Sequence, residues 1–218
     1  MQIAASIRSR GYLPHWEKES ATYFVTFRLA DSLPHEFLER LRQTRRVLKR
    51  TNQIDIAAER KRDTNLHGLL QAAERLLDKG TGSCHLRDSR IAKIVAAAIR
   101  QFDLQRYRLF AWCVMPNHVH ALFSPLSPHR LESILHTWKS YSSHEANRFL
   151  GRSGRLWQRE YFDHLVRNEA SFMKCVHYIE QNPHKAGLEK WPWVSCFGSA
   201  GVSPANSFSR RPEASATK

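Results

Sequence analysis

The sequence is poor in cysteine and holds no long apolar run. Its four cysteines are far apart, and no two of them form a C-x-x-C pair: Cys84, Cys113, Cys175 and Cys196. This pattern argues against a zinc ribbon and against a disulfide framework, so we expect a reduced protein. No stretch approaches the roughly 20 apolar residues that cross a bilayer. We therefore expect a cytoplasmic protein that makes no membrane contact.

Acidic residues are also scarce relative to basic ones. Asp and Glu total 20 against 34 Lys and Arg, which gives a formal net charge of +14. A field of this sign attracts polyanions, of which nucleic acid is the commonest. A membrane surface is the weaker alternative because no long amphipathic basic helix stands out. A basic surface kept for solubility is the third interpretation.

The distribution of residue types predicts one domain at 21–198, preceded by an irregular arm at 1–20 and followed by a disordered tail at 199–218. The domain is expected to begin with a strand at 22–29, followed by a helical insertion at about 36–85 and a helix after Asp88. Strands at 106–114 and 118–123 come next, then a helix at 131–150. A strand or irregular extended segment at 156–166 and a last helix from Asn168 to about Gln181 complete the domain. Without the insertion, this order predicts an α+β, ferredoxin-like (RRM-like) sandwich. Its antiparallel sheet would carry helices on one face, and a C-terminal helix would close it.

His118 and His120 form the strongest candidate site. Alternate residues of a strand point to the same face, so both imidazoles share one face and the apolar residues between and after them share the other. Two imidazoles so placed can chelate one divalent ion. A pair of partly exposed, hydrogen-bonded histidines is the alternative. The turn at Pro116-Asn117 favours a rigid, preorganised site at the edge of the sheet.

Three separated motifs resemble those of one family. The run from Trp112 to Phe123 is similar to the signature of the single-tyrosine HUH transposases, in which two histidines flank one apolar residue. Two later runs are similar to motifs that follow in the same order, Leu156–His164 and Tyr178–Leu188. The segments at 11–16 and 23–27 also fit. Together they resemble the REP-associated tyrosine transposase branch of this family of insertion-sequence enzymes.

The resemblance implies an HUH-endonuclease fold that cuts and rejoins single-stranded or hairpin DNA formed by short palindromic repeats. Tyr178 would attack a DNA phosphate, leaving a 5′-phosphotyrosine and a free 3′ hydroxyl. His118 and His120 would bind Mg²⁺ or Mn²⁺. The family places a metal-binding amide four residues after its tyrosine, which here is Asn182, with Gln181 as the less favoured substitute. Both a monomer and a homodimer are compatible with the resemblance.

Helical spacing agrees with these roles. Asn182 lies one turn after Tyr178 on the same side of the last helix. Tyr178 lies off the apolar face, which is formed by Phe172, Val176 and Ile179. The alternative for Asn182 is a cap that ends the helix before Pro183. Tyr141 and Tyr161 are competing tyrosines that could belong to the core or stack on DNA.

Candidate DNA contacts surround these motifs. Five cations could bind backbone phosphates, and one aromatic ring could stack on an unpaired base: Lys139, Arg148, Arg155, Arg159 and Arg167, with Trp157 as the ring. A solvated basic face and a core tryptophan are the alternatives. Two rival functions stay open: a non-catalytic nucleic-acid-binding module on the same fold, and a metal-dependent nuclease that uses water in place of tyrosine.

Overall fold

The computed structural model describes residues 6–10, 13–17, 21–50, 68–69 and 71–196. The predicted tail and residues 51–67 of the insertion lie outside the described residues. The helices are α1 (His35–Arg50), α2 (71–78), α3 (Ser89–Arg100), α4 (Leu131–Phe149) and α5 (Glu169–Lys185). The strands are β1 (Ser6–Arg10), β2 (Leu13–Glu17), β3 (Thr22–Arg28), β4 (Tyr107–Val114), β5 (His118–Pro125), β6 (Phe162–Val166) and β7 (Val194–Cys196). Within the described part, no helix is long and apolar enough to cross a membrane.

The central sheet has five antiparallel strands in the order β6-β3-β5-β4-β7. The four strands β3 to β6 have the order expected of a ferredoxin-like unit, because β3 and β4 are separated by β5 and the chain crosses over between them. This confirms the predicted α+β fold class. The three-residue β7 adds to the outer edge of β4 and was not predicted, since so short a segment shows no alternation of polar and apolar residues.

The two faces of the sheet carry different helices. Tyr23, Val25 and Phe27 of β3 point to the face covered by α3 and α4, where the largest core lies. The opposite face packs against α5 through a second core that includes Leu122 and Ile179. The closing helix therefore lies across the sheet from α3 and α4, on the face to which the two histidines point.

The helical insertion also lies on the histidine face. Its helices α1 and α2 pack together in a small third core that includes Leu41 and Leu77. Phe162 of β6 packs against this core and pairs with Thr26 in the sheet. Paired residues of antiparallel strands point to the same side, so α1 and α2 sit beside α5.

Two sequence predictions need correction. The arm predicted to be irregular contains β1 and β2, which pair antiparallel with Ser6 opposite Glu17. The extended segment predicted at 156–166 is interrupted: Trp157 bridges to Leu29, whereas β6 begins at Phe162. Residues 159–161 form a bulge between these two pairings, and the alternation of residue types does not reveal it.

The last helix runs further than predicted. We expected it to stop at Asn182-Pro183, but α5 passes through Pro183 and reaches Lys185. A proline lacks the N–H that would donate to the carbonyl four residues before it, and its ring crowds that carbonyl, but the residues after it can still donate. The following turn closes through Ala186 and Leu188, whose backbone N–H groups donate to Asn182 and Pro183 respectively. Asn182 is therefore an interior residue of α5 and not its cap.

Candidate active site

The strand β5 places the two histidines side by side in the interior. Both are fully buried, and their Nε2 atoms lie 2.9 Å apart. The pairing of β5 with β3 sets Thr26 opposite His120 and Arg28 opposite His118. The predicted shared face is thus present, whereas the alternative of a partly exposed pair is wrong.

An amide fixes the tautomer of His118. Asn117 Nδ2 donates to the backbone carbonyl of Thr81 at 2.8 Å, so the amide oxygen faces His118 Nδ1 at 2.7 Å. An amide oxygen can only accept. His118 Nδ1 therefore carries the proton, and Nε2 keeps the lone pair that a metal ligand needs.

A hydroxyl and a ring fix His120. Thr26 Oγ1 lies 2.8 Å from His120 Nδ1, and the Phe24 ring stacks on the imidazole with centroids 5.5 Å apart. Contacts of this kind hold a ligand ring in one orientation. Both imidazoles are thus held so that their Nε2 atoms converge.

Burial also fixes the charge of the pair. It lowers the pKa of His120 to about 3 and that of His118 well below its ordinary value, with the neighbouring His120 adding to the second effect. Both rings are therefore neutral at physiological pH. Neutral imidazole is the form that binds metal ions.

Tyr178 lies directly against this pair. Its ring meets the His120 ring edge-on at 5.2 Å between centroids, and the Phe24 ring at 5.6 Å. Burial raises the pKa of the Tyr178 hydroxyl, the negative charges of Glu74 and Asp78 raise it further, and the Asn182 amide partly offsets them. The phenol is therefore protonated at neutral pH. Of the three tyrosines considered from the sequence, Tyr178 is the one whose ring contacts His120; Tyr141 is exposed on α4.

Asn182 occupies the same interior space. It is 1% exposed, and among the described residues neither its Oδ1 nor its Nδ2 has a hydrogen-bond partner. A buried polar group left unpaired costs about 1–3 kcal/mol. Gln181, the less favoured candidate, is partly exposed. The orphaned amide beside Tyr178 indicates a ligand position.

The donor set fits a divalent metal ion. Two nitrogens at about 2.1 Å from an ion, at adjacent corners of an octahedron, are about 3 Å apart, which agrees with the 2.9 Å between the histidine Nε2 atoms. In the described part of the chain, no group of three or more His, Cys, Asp or Glu could hold a metal. The amide of Asn182, which the resemblance implies as a third ligand, is buried one helical turn after Tyr178 on α5.

Sequence reasoning missed the residues that support this site. Thr26 could have been found, because alternation along the first predicted strand puts it on one face with its neighbours Phe24 and Arg28. Asn117 was assigned only to the turn. No local sequence pattern singles out Thr81 or Asp78, because the position of each near the site depends on where the end of α2 meets the sheet.

Four of the six candidate DNA contacts line one groove. This groove of about 550 Å³ lies between α4 and residues 155–161, and its walls include Lys139, Arg155, Trp157 and Arg159. Lys139 Nζ donates to the backbone carbonyls of Gln158 and Arg159 at 2.7 and 2.8 Å. Burial lowers the pKa of Lys139 to about 8. The exposed cations of the groove are therefore Arg155 and Arg159.

Trp157 is a core residue and not an open stacking platform. It is 4% exposed, its ring meets Phe27 edge-on at 4.8 Å, and its Nε1 donates to Ser142 Oγ at 2.9 Å. The stacking role proposed from the sequence is wrong, because a base would have to displace the core to reach the ring. Arg148 is held by Glu145 at 2.6 Å, and Arg167 is exposed after β6; neither lines the groove.

The groove and the histidine pair lie at the same end of β3. The backbone N–H of Gln158 donates to the carbonyl of Arg28, and Arg28 is the cross-strand partner of His118. The Arg28 guanidinium is buried, which lowers its pKa to about 10, although the nearby Glu160 acts in the opposite direction. A cation thus lies between the basic groove and the candidate metal ligands.

Comparison with known proteins adds independent information. Residues 85–182 match the family model described as Transposase IS200 like. A Haemophilus influenzae protein named as a REP-associated tyrosine transposase is 24% identical over 103 residues, which are 41% of this chain and 58% of that protein. An Escherichia coli REP-associated tyrosine transposase is 27% identical over 93 residues, or 40% of this chain and 53% of that protein. The chain spans a little over half the length of these curated relatives.

Two solved structures are also similar. One is described as a REP-associated tyrosine transposase bound to a REP hairpin; it is 18% identical, has a TM-score of 0.47, and the match covers 87% of this chain and 81% of that one. The other is a Deinococcus radiodurans protein described as a transposase, 16% identical with a TM-score of 0.35 and coverage of 80% and 96%. The fold assignment rests on the strand order and register given above.

The segment that matches the family model carries the four central residues of the candidate site, but not Phe24, Thr26 and Thr81 that support them. Residues 85–182 include His118, His120, Tyr178 and Asn182. They also include the groove between α4 and residues 155–161. Over this segment, which is less than half of the chain, the sequence is similar to the family of IS200-like transposases.

Proposed function

We propose that the protein is a metal-dependent endonuclease and strand transferase for single-stranded DNA, acting on hairpins formed by repetitive palindromic sequences. The observation that carries the proposal is the contact of the Tyr178 ring with His120 at 5.2 Å, beside an Asn182 amide without a partner. In this proposal Tyr178 is the nucleophile, and the two neutral imidazoles with the buried amide one helical turn after Tyr178 are the ligands of the ion. This combination suits phosphoryl transfer to tyrosine.

His118, His120 and Asn182 would hold Mg²⁺ or Mn²⁺, which would supply charge to neutralise the scissile phosphate. The Tyr178 hydroxyl oxygen forms a bond to phosphorus while the bond from phosphorus to the 3′ oxygen breaks. The tyrosine proton is released, and the departing 3′ oxygen takes up a proton. The resulting 5′-phosphotyrosine keeps the energy of the broken ester, so a 3′ hydroxyl can rejoin the strand without ATP.

The basic groove supports single-stranded DNA as the substrate. Arg155 and Arg159 are exposed on its walls, and arginine binds phosphate through a fork of N–H donors. The groove lies at the same end of β3 as the histidine pair. Both relatives named above are REP-associated tyrosine transposases, which favours hairpin-forming repeats as the DNA.

A covalent-adduct assay tests the proposal. The full chain is incubated with a labelled hairpin oligonucleotide and Mn²⁺, and the products are separated on a denaturing gel. We expect a protein–DNA band that Tyr178→Phe and His118→Ala both abolish and that Tyr141→Phe, a matched change on α4, retains. Cleavage that persists in Tyr178→Phe without a band would identify a water-using nuclease. Binding without cleavage would identify a non-catalytic module.

A further inference from the structure

Lys139 on α4 is hydrogen-bonded to the backbone of the opposite wall of the groove. Its Nζ donates to the carbonyls of Gln158 and Arg159 at 2.7 and 2.8 Å. Both distances are short, as is usual for hydrogen bonds donated by a charged group. The centroid of the Tyr161 ring also lies 6.0 Å from Nζ. The lysine therefore joins α4 to the segment 158–161 across the groove.

The two carbonyls are ones that the sheet leaves without a partner. Pairing of this segment with the β3 side of the sheet is interrupted between Trp157 and Phe162. No backbone N–H of the described residues donates to the carbonyls of Gln158 or Arg159. A backbone carbonyl that is shielded from water needs a donor. The Lys139 ammonium thus takes the place of the missing strand partner.

This arrangement leaves Lys139 little freedom to bind a ligand of its own. An ammonium has three N–H donors, and two of them are directed to the wall. To move to a DNA phosphate, the side chain would have to release two charge-assisted hydrogen bonds. Arg155 and Arg159 are exposed on the same groove. Lys139 is therefore better placed to fix the wall than to follow a DNA strand.

Lys139 contacts the backbone of Arg159 and not that of Arg155. Its Nζ binds the carbonyl of Arg159 itself, so the ammonium fixes the backbone that carries this side chain. Arg155 is held differently, because the carbonyl of the next residue, Leu156, accepts from Ala30 N at 2.9 Å. The two exposed arginines of the groove thus depend on separate contacts.

We propose that Lys139 is a positioning residue for single-stranded DNA: its ammonium fixes the backbone of the segment 158–161 and so holds the Arg159 side chain where it binds a phosphate of the strand. The partly buried lysine acts through the exposed arginine, and the arginine makes the contact. This inference rests on the proposed function, because it takes the groove as the path of the DNA.

DNA affinity of the full chain tests this inference. Binding of a labelled single-stranded oligonucleotide is followed by fluorescence anisotropy in EDTA, so that neither a metal ion nor cleavage is needed. A hydrogen bond to a charged group contributes roughly 10-fold or more to affinity. We expect a loss of about 10-fold for Arg159→Ala. The loss for Lys139→Met, which keeps the length of the side chain but removes its donors, should be nearly as large.

Two double variants separate a positioning role from a direct contact. Lys139→Met/Arg159→Ala should bind within about 2-fold of Arg159→Ala, because the lysine acts through that arginine. Lys139→Met/Arg155→Ala should show the product of the two single losses, because the sheet holds Arg155 independently. Lys93→Met is the matched control. This lysine is exposed on α3 outside the groove, and its removal should leave affinity nearly unchanged.

Amide hydrogen exchange gives a readout without DNA. Lys139→Met should exchange faster at residues 159–161, because the backbone there loses its contact with α4. Arg159→Ala keeps that contact and should show native exchange in the rest of the segment. Circular dichroism shows that each variant is folded; if Lys139→Met is not, Lys139→Leu carries the comparison.

Three results would overturn the inference. Native affinity in Lys139→Met would mean that the lysine does not contribute to binding. Losses that multiply in Lys139→Met/Arg159→Ala would mean that Lys139 binds the DNA itself. Native exchange at 159–161 in Lys139→Met would mean that the ammonium does not fix the wall.

Failure of the proposed function has a different signature. If Arg159→Ala binds the oligonucleotide as tightly as the native chain, the groove is not the path of the DNA, and the role of Lys139 is overturned with it. A native chain that forms no covalent adduct but shows the expected losses of affinity would overturn cleavage alone and leave the role of Lys139 in place.

Discussion

At the scale of single residues, the site depends on the polar atoms behind the two histidines. His118 Nδ1 faces an amide that is itself held by the Thr81 carbonyl, and His120 Nδ1 faces a threonine hydroxyl. These contacts decide the tautomer of His118 and the orientation of both rings, whereas burial decides their charge. A histidine pair without such partners would be two polar rings in a core, at a cost of about 1–3 kcal/mol for each unpaired group.

Thr26→Val tests this dependence. Valine keeps the shape and the preference for a strand but leaves His120 Nδ1 without its partner. We expect Mn²⁺ affinity to fall by about 10-fold and the free energy of unfolding in urea to fall by about 1–3 kcal/mol. The matched control is Thr22→Val on the same strand, which loses a hydrogen bond to Ser124 Oγ of 2.8 Å. An equal loss of Mn²⁺ affinity in the control would contradict this prediction.

At the scale of secondary-structure elements, two segments contribute to the surroundings of the site. In the sequence, one of them is visible only as an insertion and the other only as a motif. The helices α1 and α2 pack together on the histidine face. Residues 155–161 form one wall of the groove. The two helices have their own small core, which includes Leu77. Packing in that core therefore sets the position of Asp78 and Thr81.

Leu77→Ala should show this coupling. Truncating a buried leucine costs about 2–5 kcal/mol. Because the loss falls in the α1–α2 core, we expect faster amide exchange in both helices and Mn²⁺ affinity reduced several-fold. Leu131→Ala makes the same truncation in the core under α4 and should leave Mn²⁺ affinity unchanged. Exchange that rises equally throughout the sheet in Leu77→Ala would show that α1 and α2 have no separate stability.

At the scale of the whole molecule, the charge of +14 gives the protein a long-range attraction for polyanions. Much of it is spread over the surface, so it contributes to affinity without specifying sequence. The groove concentrates part of this charge through Arg155 and Arg159, on the α4 side of the sheet at the end of β3 that pairs with His118. The groove arginines and the diffuse surface charge should therefore have different effects on the salt dependence of DNA-binding affinity.

Affinity for a single-stranded oligonucleotide, measured by fluorescence anisotropy, should fall steeply with salt. If about six phosphates are contacted, the log–log slope is about −4. Arg159→Ala should reduce its magnitude by about 0.7. Arg90→Ala is the control. The Arg90 guanidinium forms an ion pair of 2.7 Å with Asp88, and Arg90 does not line the groove. If both variants change the slope equally, the diffuse surface charge and not the groove is responsible for binding.

The regular elements could be predicted because each has a local signal. The alternation of β5 and the helical spacing of α4 and α5 placed these elements within a few residues of their observed bounds. The predictions failed where tertiary contacts override local preference. Pro183 remains inside α5 because the turn after it is closed by other hydrogen bonds. Trp157 is buried although the arginines two residues before and after it, Arg155 and Arg159, are exposed.

The sequence by itself determined the fold class, the shared face of His118 and His120, and the side of α5 on which Tyr178 lies, because each follows from the period of a strand or helix. Only the tertiary structure decided that α5 crosses to the histidine face and that α2 ends there with Asp78. The tertiary structure also decided that α4 and residues 155–161 form a groove. These features depend on contacts between residues far apart in the chain, and no local period records such contacts.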